Sequence, residues 1–103
     1  MIVKKQAIFN LGTSGELVAA VEGKKIRVLG FFFVCTGAVT VVFKSATTAL
    51  TGVMSFGANA VASAQAGRNE SEPFLFETVA GEALNVTLGG SVQVSGTINY
   101  ILL

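Results

Sequence analysis

The sequence predicts an all-β protein, a jelly-roll-like β-sandwich of about eight strands folded as one domain over residues 1–103. Three observations lead to this fold class. Apolar and polar residues alternate with a period of two along most of the chain, as they do in strands with one buried face. Glycine and small polar residues separate the alternating segments at short intervals. A chain of 103 residues is also long enough for one compact core and too short for two.

Turn sequences divide the chain into its predicted strands. NLGTSGE, VEGKK and CTGA follow the first three strands, KSATTA follows the fourth, and VAGEA and LGGS follow the sixth and seventh. In chain order, the predicted strands cover residues 2–9, 16–22, 25–35, 38–44, 48–56, 74–79, 83–88 and 91–102.

Alternation is clearest in the fourth, seventh and eighth of these strands. Polar residues such as Asn85, Thr97 and Asn99 fall on the face opposite the apolar ones. The residues predicted to face the core are Val39, Val41 and Phe43 in the fourth strand, Leu84, Val86 and Leu88 in the seventh, and Val92, Val94, Ile98, Tyr100 and Leu102 in the last.

Residues 57–73, GANAVASAQAGRNESEP, do not follow the strand pattern. Alanine favours a short helix over NAVASAQA, whereas an extended crossing between the two sheets fits the segment equally well. Its polar end, residues 68–72, is predicted to form a solvent-facing loop.

The third strand lies within KKIRVLGFFFVC, residues 24–35, and is apolar on both faces. Continuing the alternation from its basic start puts Ile26 and Val28 in the core. The residues that then face outward are Leu29, Phe31 and Phe33. A bulge at Gly30 would reverse the second half of the strand and expose Phe32 and Val34 instead.

Either arrangement exposes apolar side chains, and the composition supplies few charges around them. Hydrophobic residues form 51% of the chain and charged residues 13%, with a mean hydropathy of +0.68, whereas about 25% charged residues is usual. Burying one phenylalanine stabilises by about 1.5–3 kcal/mol, so we expect a second copy of the chain to cover this face. The predicted subunit interface is Leu29, Phe31 and Phe33, or Phe32 if the bulge is present.

Neither a membrane nor a nucleic acid is predicted as a partner. The longest apolar run, residues 28–35, has eight residues, and a spanning helix needs about 20. MIVKKQAIFNLG contains no apolar stretch of signal-peptide length, so we expect no export by that route. The net charge is +1 and the basic residues are scattered, without the basic stripe typical of nucleic-acid binding.

The residue types argue against an enzyme. The chain has no histidine and no aspartate, so the usual base and orienting groups of nucleophilic catalysis are missing. One cysteine and dispersed glutamates do not make a zinc site. We interpret Cys35 as a small buried hydrophobe, and Glu77 and Glu82 as solvated strand ends rather than an acid/base pair. We therefore predict no catalytic residue, cofactor or metal.

Five segments of the sequence resemble small virion proteins of tailed bacteriophages. They are GKKIRVL, GAVTVVFKS, TALTG, AGEALN and VQVSGTINY, within residues 18–55 and 77–103. The resemblance implies a jelly-roll-like sandwich that decorates or cements the capsid exterior, commonly as a trimer. It also implies the major capsid protein as partner and the virion surface as location, after synthesis in the host cytoplasm.

Two points stay open from the sequence. MIVKKQAIF combines apolar residues with two lysines, which makes Ile2, Val3, Lys4 and Lys5 the predicted capsid contact, although the same segment is equally suitable as the first strand. The alternative functions are another phage structural part (a head–tail, tail or fibre-associated module) and a host-surface or glycan-binding module.

Overall fold

Two antiparallel sheets of five strands each face one another in the computed structural model, which describes residues 4–66 and 74–103. Sheet A contains β1, β10, β3, β7 and β8, and sheet B contains β2, β9, β4, β5 and β6. The strands are β1 (Lys5–Leu11), β2 (Gly15–Val18), β3 (Ile26–Cys35), β4 (Val39–Ser45), β5 (Thr48–Ala49), β6 (Met54–Phe56), β7 (Ala60–Gln65), β8 (Phe76–Glu77), β9 (Leu84–Leu88) and β10 (Val94–Leu102).

The strand pairing is that of a jelly roll. β1 pairs with β10, β2 with β9, β3 with β7 and β8, and β4 with β5 and β6, so the chain resembles one long hairpin folded back after β4. The hairpin is rolled because β10 also pairs with β3 and β9 also pairs with β4. This confirms the predicted all-β, jelly-roll-like sandwich.

The strand predicted over residues 48–56 is interrupted. The Leu50 N–H donates to the Phe43 carbonyl oxygen at 2.8 Å, and the Phe43 N–H donates to the Thr51 hydroxyl oxygen at 3.2 Å. Because a side chain replaces a backbone acceptor here, the ladder breaks into β5 and β6. The strand predicted over 16–22 is also too long, since β2 ends at Val18 and the chain turns toward Gly23, whose φ is +72°.

The alanine-rich segment is extended and forms the edge strand β7. Its inward positions, Ala60, Ala62 and Ala64, pair with Cys35, Phe33 and Phe31 of β3. Small side chains fit beside these aromatic rings, and the open edge of β3 supplies backbone partners that a helix would leave unused. Tertiary pairing therefore overrides the helix propensity of alanine, and the helical alternative for NAVASAQA is wrong.

Aromatic rings form the centre of the core between the sheets. The ring of Phe33 lies 5.4 Å from those of Phe31 and Phe56, 6.2 Å from Phe43 and 6.3 Å from Phe9, measured between centroids. The surrounding buried residues include most of those predicted from alternation in β4, β9 and β10: Val39, Val41, Leu84, Val86, Leu88, Val94 and Ile98. Val92, Tyr100 and Leu102 were also predicted to face the core and are half-buried against it.

β3 contains a bulge at Leu29. Tyr100 of β10 pairs with Val28, whereas the preceding residue Asn99 pairs with Gly30, which leaves Leu29 as the extra residue. A bulge of this kind shifts the alternation by one position. Even-numbered residues therefore face the core in the first half of β3, and odd-numbered residues face it in the second half.

The bulge turns Phe33 inward and Phe32 outward. Phe33 is 0% exposed and Phe32 is 48% exposed, while Phe31 is half-buried and stacks on Phe33. The predicted outward orientation of Phe31 and Phe33 is wrong. The alternative with a bulge is confirmed, although the bulge lies at Leu29 and not at Gly30. Ile26 and Val28 already occupy the core side of the first half, so an extra residue is needed to bring these aromatic rings to the same side.

Candidate interaction surface

An apolar strip crosses the outer face of sheet A. We define it as Ile8 on β1, Phe32 and Val34 on β3, and Val61 on β7. Ile8 is 82% exposed and Val61 is 65% exposed, and Val34 is half-buried. Ile8 and Phe32 both pair with Thr97 of β10, one from each side, and Val34 pairs with Val61. The strip therefore crosses all four strands, with Thr97 as a polar position between Ile8 and Phe32.

Local strand geometry positions each member of the strip. On β1 the neighbours Ala7 and Phe9 pack against the core, so Ile8 faces outward. The bulge orients Phe32, and the inward alanines of β7 leave Val61 outside. Sequence reasoning missed Ile8 and Val61, although the alternation of KQAIFNL and of AVASAQ contains the signal for both.

The polar residues around the strip are uncharged and bonded to one another. Ser95 donates to the Asn10 carboxamide oxygen at 2.6 Å, and Gln93 donates to the same oxygen. Gln6 donates to the Thr97 hydroxyl at 2.9 Å. A face whose central rows carry no charge matches the cores of subunit interfaces, which are depleted in charged residues.

A depression of about 320 Å³ lies beside the strip, at the β3 bulge. Gln6, Asn99, Gly30 and Gln65 form one row across β1, β10, β3 and β7, and Gly30 leaves a gap in that row. The depression is lined by these four residues together with Lys4, Lys5 and Leu29.

The predicted site residues lie in different parts of the molecule. Leu29 is half-buried at the bulge, and Phe31 and Phe33 pack in the core between the two sheets. Phe33 is therefore inaccessible at the surface, whereas Phe32 is exposed, as the alternative with a bulge predicts.

The predicted capsid contact is only partly described. Ile2 and Val3 lie outside the described residues. Lys4 and Lys5 are exposed at the start of β1. From Lys5 onward the segment pairs with β10, as the first-strand alternative required.

The side chains that could take part in chemistry are buried or bonded to neighbouring side chains. Cys35 is fully buried, and its burial raises the pKa of the thiol. The carboxylate of Glu77 accepts from Arg27 Nε at 2.8 Å and lies 3.7 Å from the Lys25 ammonium. Within residues 4–66 and 74–103 there is no group of three or more cysteine or glutamate side chains placed to hold a metal ion.

The described part of the chain contains no helix of sufficient length and apolarity to cross a bilayer. No protein-family model matches the sequence, and no curated protein matches it either.

Proposed function

We propose that the protein is a non-enzymatic structural subunit of a tailed-bacteriophage particle, an oligomeric capsid decoration protein that stabilises the head. The observation that carries the proposal is the apolar strip of Ile8, Phe32, Val34 and Val61 on an uncharged part of sheet A. The resemblance of the sequence to phage virion proteins supplies the biological setting, with the major capsid protein as partner.

The strip supports self-association. Contiguous exposed apolar surface on a small protein marks an interaction site, and interfaces between identical subunits are the most apolar class. A second copy supplies the same uncharged surface and so leaves no charge unpaired on burial. We propose a trimer, the assembly common among decoration proteins that the sequence resembles.

A decoration protein stabilises a shell by mass action. Binding to the assembled shell alone contributes about 2.7 kcal/mol per site at a hundredfold excess over Kd. Three equivalent contacts on one trimer combine through effective concentration, so each contact can be weak. The proposed capsid contact is the segment Ile2, Val3, Lys4 and Lys5.

The oligomeric state tests the role of the strip. We expect light scattering to give a trimer for the unmodified protein and a smaller species for Phe32→Asp, because the substitution puts a carboxylate into the proposed interface. Val53→Asp is the matched control, since Val53 is 70% exposed and belongs to the loop between β5 and β6. A soluble, monodisperse monomer of the unmodified protein at micromolar concentration contradicts the proposal.

Cryo-electron microscopy of purified phage particles tests whether the protein lies on the capsid surface. Many copies distributed over the capsid surface are expected for a decoration protein. A few copies at one vertex would instead assign the protein to the head–tail connection or the tail.

A further inference from the structure

We propose that the depression at Gly30 binds a carboxylate side chain of an acidic peptide segment. This inference goes beyond the proposed function, because it concerns the chemistry of a bound partner and does not depend on whether that partner belongs to a capsid.

The absence of a side chain on Gly30 forms the depression. In the row Gln6–Asn99–Gly30–Gln65 it is the only position without one. A Cβ at this position would lie 3.2 Å from the carbonyl oxygen of Ala64 and 3.4 Å from Cγ of Gln65. The backbones of β3 and β7 therefore lie close together beside Gly30.

The groups lining the depression suit an anion. Lys4 and Lys5 lie at its edge, where β1 begins, and Gln6, Asn99 and Gln65 contribute three carboxamides whose N–H groups are donors. No carboxylate is among the described residues that line it. Hydrogen bonds from these groups to a carboxylate are charge-assisted and about twice as strong as neutral ones.

The surroundings favour a peptide over a nucleic acid or a glycan. Two lysines at one end of a sheet are not the extended basic surface that a phosphate backbone requires. The carboxamide oxygens can accept from peptide N–H groups, and Phe32 lies on the same face two positions beyond Gly30 along β3. A glutamate or aspartate in the depression would thus place a neighbouring apolar residue over the strip.

Fluorescence anisotropy with labelled peptides tests the inference on the full chain. The probes are the peptide GLEELG and its neutral counterpart GLQQLG, each titrated to about 1 mM, the range of weak single-segment binding. We expect the acidic peptide to bind and the neutral one not to, and we expect the affinity to fall as salt is raised because the site is exposed.

Two charge-matched variants separate the depression from general electrostatics. Lys4→Gln combined with Lys5→Gln is expected to weaken binding about tenfold, whereas Lys24→Gln combined with Lys44→Gln changes the net charge equally and is expected to leave binding unchanged. Gln65→Leu removes one carboxamide without changing the charge and is expected to give a smaller loss. Circular dichroism melting confirms that each variant is folded.

Several outcomes would overturn the inference. These are equal binding of the two peptides, equal weakening by the two lysine pairs, no binding of the acidic peptide, or binding of sialyllactose in its place. The lysine variants should keep the oligomeric state that Phe32→Asp disrupts. If the unmodified protein is a monomer and still binds the acidic peptide at this site, the inference stands and the proposed function falls.

Discussion

Ser45, fully buried at the end of β4, donates a 2.5 Å hydrogen bond from its hydroxyl to Oε1 of Glu82. The same hydroxyl oxygen accepts from the backbone N–H of Val79 at 2.9 Å. One side chain therefore joins sheet B to the turn between β8 and β9. This gives Glu82 a structural partner, and Glu77 has its own in Arg27.

Replacing Ser45 with alanine should lower the free energy of unfolding by about 1–3 kcal/mol, because the Val79 N–H loses its acceptor. Urea denaturation measures the loss. Ser55→Ala on the exposed side of β6 is the control and should change stability by less than about 0.5 kcal/mol. Equal effects of the two substitutions would show that the buried hydrogen bonds contribute little.

Gly96→Ala should be strongly destabilising because β10 approaches β3 closely at this position. A Cβ on residue 96 would overlap the carbonyl oxygen of Phe32 and lie 2.6 Å from Cα of Phe33. Overpacking of this kind costs about 1–3 kcal/mol or more. Thermal melting measures it, with Gly52→Ala as control because nothing lies within 4 Å of its added Cβ. An unchanged melting temperature for Gly96→Ala would contradict the strand spacing described.

Phe33→Ala should cost about 3–5 kcal/mol of unfolding free energy, since it leaves a cavity at the centre of the aromatic cluster. Val53→Ala, at a position 70% exposed, should change stability by less than about 0.5 kcal/mol. Denaturant unfolding at low protein concentration measures this loss for the single chain. A small loss of stability for Phe33→Ala would indicate that Phe33 lies on the outer face, as the alternation without a bulge predicts.

The thiol of Cys35 should react with Ellman's reagent only after unfolding, because the side chain is buried and its pKa is raised by desolvation. The folded state holds the proton to higher pH than the unfolded state. The resulting stability is present below the ordinary thiol pKa and is lost as pH rises toward the folded value.

Unfolding curves measured on the alkaline side check the pH dependence of this thiol. Cys35→Ala should remove the part of the alkaline decline that the thiol causes, at the cost of a modest packing loss. Rapid labelling of the native protein at neutral pH would contradict the burial of Cys35.

Removing residues 1–4 should leave the fold intact, because β1 begins at Lys5 and its pairing with β10 is retained. Under the proposed function, the shortened protein stays an oligomer and loses binding to capsids. Co-sedimentation with particles that lack the protein measures binding, and the full chain is the control. Undiminished binding would rule out the proposed contact at Ile2, Val3 and Lys4, and loss of folding would assign the segment a structural role.

Local alternation was sufficient to predict much of the fold. Val41 in β4, Val86 in β9 and Ile98 in β10 face the core as their period of two requires, because each lies on the face of its strand that packs against the opposite sheet. The sandwich class followed from such strands and from the turns between them. The apolar strip could be anticipated only in part, through the alternative that exposes Phe32.

The sequence by itself determined the all-β class, the inner faces of the regular strands and the surplus of apolar side chains over what one core can hold. Only the tertiary structure decided which aromatic residues form that surplus. The extra residue at Leu29 is set by the pairing of β3 with β10 and by the space that Phe31 and Phe33 fill. The tertiary structure also decided the conformation of β7. Its alanines are extended because they pair with the open edge of β3 and pack beside its aromatic rings, and β3 is distant from β7 in sequence.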